Sequence, residues 1–415
     1  MSTQPKQVVV IGAGYAGLLA TTRLARQVRK QNVAITLVNA ADVFVERLRL
    51  HQFAANQPIR QRPIMDALHD TNVTFVRGRV SRLDPVQREL EVETDYGAQH
   101  LRYDYLIYAL GSLTDRDRVP GVRDYAYTLS PSGVLSAAAL RDVLPVVNRA
   151  GGQLIVCGAG ATGIEAAAEF AESYPNLHVK LITRNPFEQF LSQPVAAYMR
   201  RALTRLGVTI QDGTAVIAVN SDELETNTGP IPFDVCLWAG GFTVPTLARE
   251  AGLAVNERGQ ILIDPFLRSI SHPTIIAIGD AAYPLEDHGI TVRMSAFAAM
   301  LMGAQGADTL NAMLHDQTPA PFCFAYMGQG IALGRHDAVG FGLQPDDKPR
   351  SLFFTGRVGY EAREFFVRFL ADAPRLERFL LGAVLWEVRR CDTRTQRQLR
   401  LQHEPLADQR KLGRI

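Results

Sequence analysis

The chain has 415 residues, 47% of them hydrophobic, 21% charged, with a formal net charge of +2. That content fills cores for roughly two or three domains, and the near-balanced charge carries no nucleic-acid signal. The four cysteines (Cys157, Cys236, Cys323, Cys391) lie far apart and match no CxxC or zinc spacing, which suits a reducing, cytoplasmic setting and argues against a disulfide scaffold or a bound metal.

The polar start "MSTQPKQ" shows no secretory pattern. Val8–Ile11 and Ala34–Val38 are apolar runs of the kind buried on both sheet faces. Between them a turn with Gly12, Gly14 and Gly17 opens a helix from Tyr15 towards Lys30, giving a βαβ unit. Strand patterns follow at Val73–Val76, Glu89–Val92 (in a charged, hairpin-like stretch) and Tyr105–Ala109, and residues 111–122 read as a crossover linker. From Gln153 the βαβ pattern restarts, with strands ending at Cys157 and Ile182, a turn carrying Gly158, Gly160 and Gly163, and a helix from Ala161 to Ser173. Strand Val235–Trp238 ends in Ala239-Gly240-Gly241, and strand Thr274–Ile278 ends in Gly279-Asp280. A long apolar helix from Ser295 to near Leu314 includes the 14-residue charge-free run 294–307, short of the ~20 residues that span a membrane. Beyond Pro321 the chain turns aromatic and glycine-rich, then arginine-rich: residues 351–415 hold 13 Lys/Arg against 8 Asp/Glu.

In a G-x-G-x-x-G turn after a strand, the first glycine permits the turn and the second lets backbone approach a pyrophosphate. The third lets helix and strand pack closely, and the helix N-terminus faces the anion. One such turn is weak evidence, since glycines often only turn strands. Two in full βαβ context imply two dinucleotides, one flavin held permanently and one nicotinamide that comes and goes. Asp280, ending a strand remote in sequence, suits a ribitol hydroxyl.

Gly12–Gly17, Tyr105–Ser112, Gly158–Gly163, Trp238–Gly241 and Gly279–Ala282 occur in an order that resembles the pyridine nucleotide–disulfide oxidoreductase superfamily. The resemblance implies an α/β chain with two Rossmann-like domains, the FAD-binding one interrupted by the NAD(P)-binding one, then a C-terminal α+β or helical region. The expected boundaries are 1–118, 119–264, 265–325 and 326–415. For FAD it implies Gly12, Gly14, Tyr15, Ala16 and Gly17 at the first turn and Asn39 at the second strand end. Arg47, Val80, Ala109, Gly111, Asp280, Ser295 and Ala296 complete that set, with His51 and Gln52 as further polar groups near the flavin. For NAD(P)H it implies Gly158, Gly160, Thr162, Gly163, Thr183, Arg184, Gly240 and Gly241. Glu165 matches the family's glutamate near the nicotinamide, against the plainer reading of a first-turn acid favoured by the helix dipole.

Residues 39–57 contain no cysteine, so the redox disulfide of many members is absent there. Cys157 and Cys236 read as small core residues, leaving only Cys323 suitably placed for sulfide chemistry. "RLRLHQFAANQP", "LWAGGF" and "FAYMGQGIALGRHDAVG" resemble the type II NADH dehydrogenases, which pass hydride from NAD(P)H through FAD to a quinone. Those enzymes usually carry two glutamines in the helix after Gly-Asp; here Phe297 and Leu301 stand in those places, giving an apolar acceptor pocket. Met300, Met302 and Phe297 also read as plain core. No acid stands at Thr183-Arg184-Asn185, which favours NADPH over NADH. Three functions remain open at this point: a quinone reductase, a flavoenzyme of specialised-metabolite biosynthesis, and a redox sensor with a protein partner. The arginine-interleaved tail suggests a peripheral contact with the cytoplasmic membrane face, or a homodimer contact.

Overall fold

The computed structural model describes residues 4–187, 189, 191–285, 292–324, 326–344 and 347–378. Lys6–Ile11, whose apolar residues are buried, lies in the middle of a five-stranded parallel sheet. Val33–Asn39 and then Val73–Arg77 flank it on one side, Tyr105–Tyr108 and then Ile275–Ala277 on the other. The chain order therefore reverses at this strand, and a crevice opens beyond its carboxyl end. The helix Tyr15–Gln27 packs against the later helix Ala296–Leu314. A Cβ on Gly303 would lie 2.5 Å from the Ala16 carbonyl oxygen, so the two helices meet backbone to backbone.

The second sheet repeats the plan with four parallel strands, in the order Thr209–Gln211, His178–Ile182, Gln153–Cys157, Val235–Trp238. Its reversal falls at Cys157, ahead of the second glycine turn. Because Ile275–Ala277 rejoins the first sheet, the second domain is an insertion in the first. The two crossings between them run antiparallel, with Phe242 opposite Thr114 and Thr243 opposite Leu113. Trp238 Nε1–H locks this pair by donating to Asp115 O at 2.9 Å.

A three-stranded antiparallel sheet (Gly328–Ala332, Ala338–Leu343, Pro349–Phe354) and the helix Gly356–Glu377 follow. The charged, hairpin-like stretch around Glu89–Val92 is a three-stranded meander, Arg79–Asp84, Glu89–Thr94 and Gly97–Arg102. Sequence reading also passed over the helix Ala137–Ala150, which Ser136 caps by accepting from Ala139 N–H. No helix among the described residues is long and apolar enough to cross a membrane.

Candidate active site

At the first turn Gly12 has φ +95°, and a Cβ there would lie 2.4 Å from Ala109 O. A Cβ on Gly17 would sit 1.9 Å from Gly12 O, whereas one on Gly14 would meet nothing within 4 Å. The first and third glycines therefore let backbones touch, and the middle one faces open space where a pyrophosphate fits. Tyr15 and Ala16 are buried at the helix start, the Tyr15 ring edge-on to Phe44 at 5.0 Å.

Asn39 does something the sequence did not announce. Its Oδ1 accepts from Ala13 N–H (2.9 Å), and its Nδ2 donates to Ala41 O (2.8 Å). The side chain ties the end of the second strand to the glycine turn, and it keeps one lone pair and one N–H for a further partner. Gly78 N–H donates to Asn39 O at 2.9 Å, bringing Val80, half-buried at the start of the meander, to the same edge.

Asp280 lies in a short 3-10 turn, where Ser112 Oγ–H donates to its Oδ2 at 2.6 Å. Arg47 Nη1 donates to Ser112 O at 2.6 Å, and Gly111, with φ +67°, leaves room beside that guanidinium. Burial pushes the Asp280 carboxyl up, opposed by Ser112, the Arg47 charge and the Ser295 backbone amide. Ser295 caps the Ala296–Leu314 helix by accepting from Ala298 N–H at 3.2 Å. Residues from four separate segments thus converge on the crevice of the first sheet.

The second turn has the same construction. Gly158 (φ +111°) would place a Cβ 2.7 Å from Ala239 O, and Gly163 would place one 1.8 Å from Gly158 O; Gly160 faces open space. Gly240 lies against the Trp238 ring, 2.6 Å from an added Cβ, and Gly241 has φ +131°. Thr162 is half-buried in the first helical turn. The Thr183 hydroxyl donates to Asn185 O at 3.2 Å, and Arg184 is exposed. Cys157 and Cys236 are buried free thiols with sulfurs 3.8 Å apart. Their mutual hydrogen bond and burial push the Cys157 thiol up, as expected of inert core cysteines.

Glu165 is not a solvated first-turn acid. It is 7% exposed, and its Oε1 accepts from Ala332 N–H (3.0 Å) and from Arg363 Nη2 (2.9 Å) and Nε (3.2 Å). The sequence offered no hint of Arg363 as its partner. His51 is fully buried, and its Nε2 has no hydrogen-bond partner. Burial, then the Arg363 and Arg49 charges, bring its pKa down to about 3, so the imidazole is neutral. Arg335 is structural, bonded to Glu169 and Ser173, and His336 is exposed.

Leu301, Met300 and Met302 are core residues. Phe297, half-buried, packs against Phe324 (5.9 Å) and Phe366 (5.5 Å). Phe324 in turn stacks on Phe322 and meets Tyr326 edge-on at 4.5 Å. Tyr326 OH reaches back to Ser295 Oγ at 3.4 Å, so this aromatic group adjoins the helix start beside Asp280. Sequence reading quoted Phe324 and Tyr326 only as the start of "FAYMGQGIALGRHDAVG" and passed over Phe322; the alternation in "FCFAY" was the available signal for this aromatic group. Cys323, which the sequence left as the one cysteine suitably placed for sulfide chemistry in a chain read as having no disulfide scaffold, is disulfide-bonded. Cys391 and the tail beyond Arg378 lie outside the described residues.

The model of the pyridine nucleotide-disulphide oxidoreductase family matches residues 6–303. The chain is 26% identical over 386 residues to a type II NADH:quinone oxidoreductase of Staphylococcus haemolyticus, covering 86% of this chain and 95% of that one. Among solved structures it resembles the sulfide:quinone oxidoreductase of Aquifex aeolicus (TM-score 0.74, 16% identity, 90% and 95% coverage). It also resembles NDH2 from Plasmodium falciparum in complex with NADH (TM-score 0.72, 16% identity, 92% and 100% coverage). At these identities the structural likenesses speak for fold alone. With both glycine cradles shaped for a dinucleotide, the protein is an FAD-dependent NAD(P)H oxidoreductase, a member of the pyridine nucleotide–disulphide oxidoreductase family.

Proposed function

We propose that the protein passes hydride equivalents from NAD(P)H to a quinone or quinone-like acceptor. The observation that carries this is the aromatic group of Phe297, Phe324, Phe366 and Tyr326 adjoining the Ser295 helix start. Half-buried Phe297 and exposed Phe366 at the edge of this group, backed by buried Phe324 and Tyr326, offer a planar, apolar acceptor a surface to stack on, and the curated relative is named for a quinone.

In this reading FAD lies along the first crevice, over Gly12–Gly17, Asn39, Arg47, Val80, Ala109, Gly111, Asp280 and Ser295–Ala296. The flavin supplies the redox chemistry when bound. Gly14 admits the pyrophosphate, Asp280 accepts from a ribitol hydroxyl, and the Ser295-capped helix start favours negative charge at the ring. Gly158–Gly163, Gly240 and Gly241 would hold NAD(P)H, and Glu165 would serve its nicotinamide end. The boundaries 1–118, 119–264, 265–325 and 326–415 divide the chain accordingly. Exposed Val358 (72%) and Phe365 (73%) support an apolar contact of the C-terminal helix, with the cytoplasmic membrane face or with a second copy.

With Phe297 and Leu301 where relatives place glutamines, no side-chain amide orients an acceptor carbonyl. Acceptors bind by burial at ~25 cal/mol per Å², which selects weakly among head groups. The test bleaches the FAD-loaded protein with NAD(P)H anaerobically, then mixes it with soluble quinones differing in head group. Return of the flavin colour at similar rates for all of them is expected. Phe297→Gln with Leu301→Gln should widen the differences between head groups. Sharp selectivity in the native protein, lost in the double variant, would overturn the pocket argument. Failure of every quinone to restore colour would favour a biosynthetic substrate or a protein partner instead.

A further inference from the structure

The C-terminal helix carries two adjacent, buried, opposite charges, and they point to different domains. Arg363 turns to Glu165 of the inserted domain (2.9 Å), and Glu364 turns to Arg49 of the first domain (2.7 Å). The two are also bonded to each other, Arg363 Nη1 donating to Glu364 Oε1 at 2.7 Å. Arg49 continues to Glu46 (3.1 Å), and Glu46 to Arg62 (2.6 Å). Six charges of alternating sign thus form one chain, Arg62–Glu46–Arg49–Glu364–Arg363–Glu165. Every side chain in it is at most 15% exposed.

Arginine does not give up its proton in proteins, so three of the six links cannot relay one. A proton path is therefore ruled out by chemistry. Isolated buried ion pairs are also poor sources of stability, because desolvation offsets much of their attraction. What such a chain supplies is fixed geometry. Arg363 holds Glu165 Oε1 through two N–H groups, and a third donor, Ala332 N–H, comes from the C-terminal sheet. Arg363 is itself anchored on the first domain, since its Nη2 also donates to Leu48 O at 3.3 Å. Burial works against the Glu364 charge, yet its bonds to Arg49 and Arg363 hold the carboxyl below the usual range. It stays an anion and keeps both arginines aimed.

We infer that Glu364 and Arg49 are positioning residues for hydride transfer. Acting through Arg363, they fix Glu165 and set the spacing between the nicotinamide and flavin domains. The inference rests on the reading above, in which Glu165 serves the nicotinamide end of NAD(P)H. A misplacement of about 1 Å costs roughly a hundredfold in such transfers, so loosening this brace should act on the nucleotide half-reaction and spare the acceptor half-reaction.

The experiment measures both halves by stopped flow on FAD-loaded protein, for the native chain, Glu364→Gln, Arg49→Lys and, as an exposed control on the same helix, Glu361→Gln. Flavin content and thermal midpoint are recorded for each. In Glu364→Gln the rate of flavin bleaching at saturating NAD(P)H should fall by roughly ten- to a hundredfold per bound FAD. Return of colour with a soluble quinone should stay within about twofold of native, as for residues that act only on the nucleotide side. Arg49→Lys keeps the charge but loses the fork, so its loss should be smaller; it also serves if Glu364→Gln does not fold. Unchanged bleaching per FAD, or equal loss in both halves, overturns the brace. Absence of bleaching in the native protein would instead overturn the functional reading itself.

Discussion

Single side chains carry two testable consequences, one for nucleotide choice and one for acid stability. Thr183, Arg184 and Asn185 stand where an acidic residue would hold the ribose 2′-hydroxyl of NAD, and Arg184 is exposed and close to the second turn's strand end. A guanidinium there suits a 2′-phosphate, so NADPH should bleach the flavin at a higher kcat/KM than NADH. Arg184→Glu should reverse that order, the loss falling on NADPH alone. Equal loss for both nucleotides would remove Arg184 from the 2′-position. His51 gives a pH prediction. Its folded pKa of about 3 lies below the ordinary 6.5, because burial and two arginines disfavour the imidazolium. The unfolded chain therefore binds the proton first. Stability from this group is fully present above about pH 6.5 and is lost progressively as the pH falls towards about 3. Thermal midpoints across that range should flatten in His51→Gln relative to native; parallel curves would place the acid sensitivity elsewhere.

At the scale of elements, the two glycine turns were legible because their demands are local. Positive φ at Gly12 and Gly158, and Cβ positions blocked at Gly17 and Gly163, leave glycine as the residue that fits. Helix Ala296–Leu314 was legible from its long apolar run, while the cap by Ser295 came from the structure. In the meander at residues 79–102 only the strand around Glu89–Val92 was legible, within a hairpin-like stretch, since the flanking strands are charged and their register depends on partners across turns. The turns also yield separable outcomes. Gly17→Ala should strip the flavin, because the new methyl displaces Gly12 O from the first cradle. Gly163→Ala should leave the protein yellow but blind to NAD(P)H. Flavin content and bleaching, measured side by side, check both, and joint loss of flavin in the two variants would mean the turns do not serve separate ligands.

For the whole molecule, what the sequence could not disclose is what depends on pairs far apart in the chain. Glu165 and Arg363 are separated by 198 positions, and Arg49 and Glu364 by 315. Arg363 lies in none of the segments that carry the resemblance, and Arg49, although inside "RLRLHQFAANQP", shows nothing in sequence of its buried partner. The same holds for Phe366, which meets Phe297 through the packing of the C-terminal helix, and for Phe324, brought to Phe297 from the segment ahead of the C-terminal sheet. Motif residues, by contrast, carry their own geometry with them, so the crevices could be named before the fold was seen. The inserted second domain follows from Ile275–Ala277 pairing beside Tyr105–Tyr108, and the two crossings between the domains pair antiparallel.

The central claim, that hydride passes from a nucleotide in the second crevice to a flavin in the first, is tested most directly by anaerobic titration of the FAD-loaded protein with NAD(P)H. Full bleaching is expected at one equivalent of nucleotide per flavin in the native protein, and none in flavin-loaded Gly163→Ala at the same concentrations. A native protein that does not bleach, or a Gly163→Ala protein that bleaches as readily as native, would contradict it.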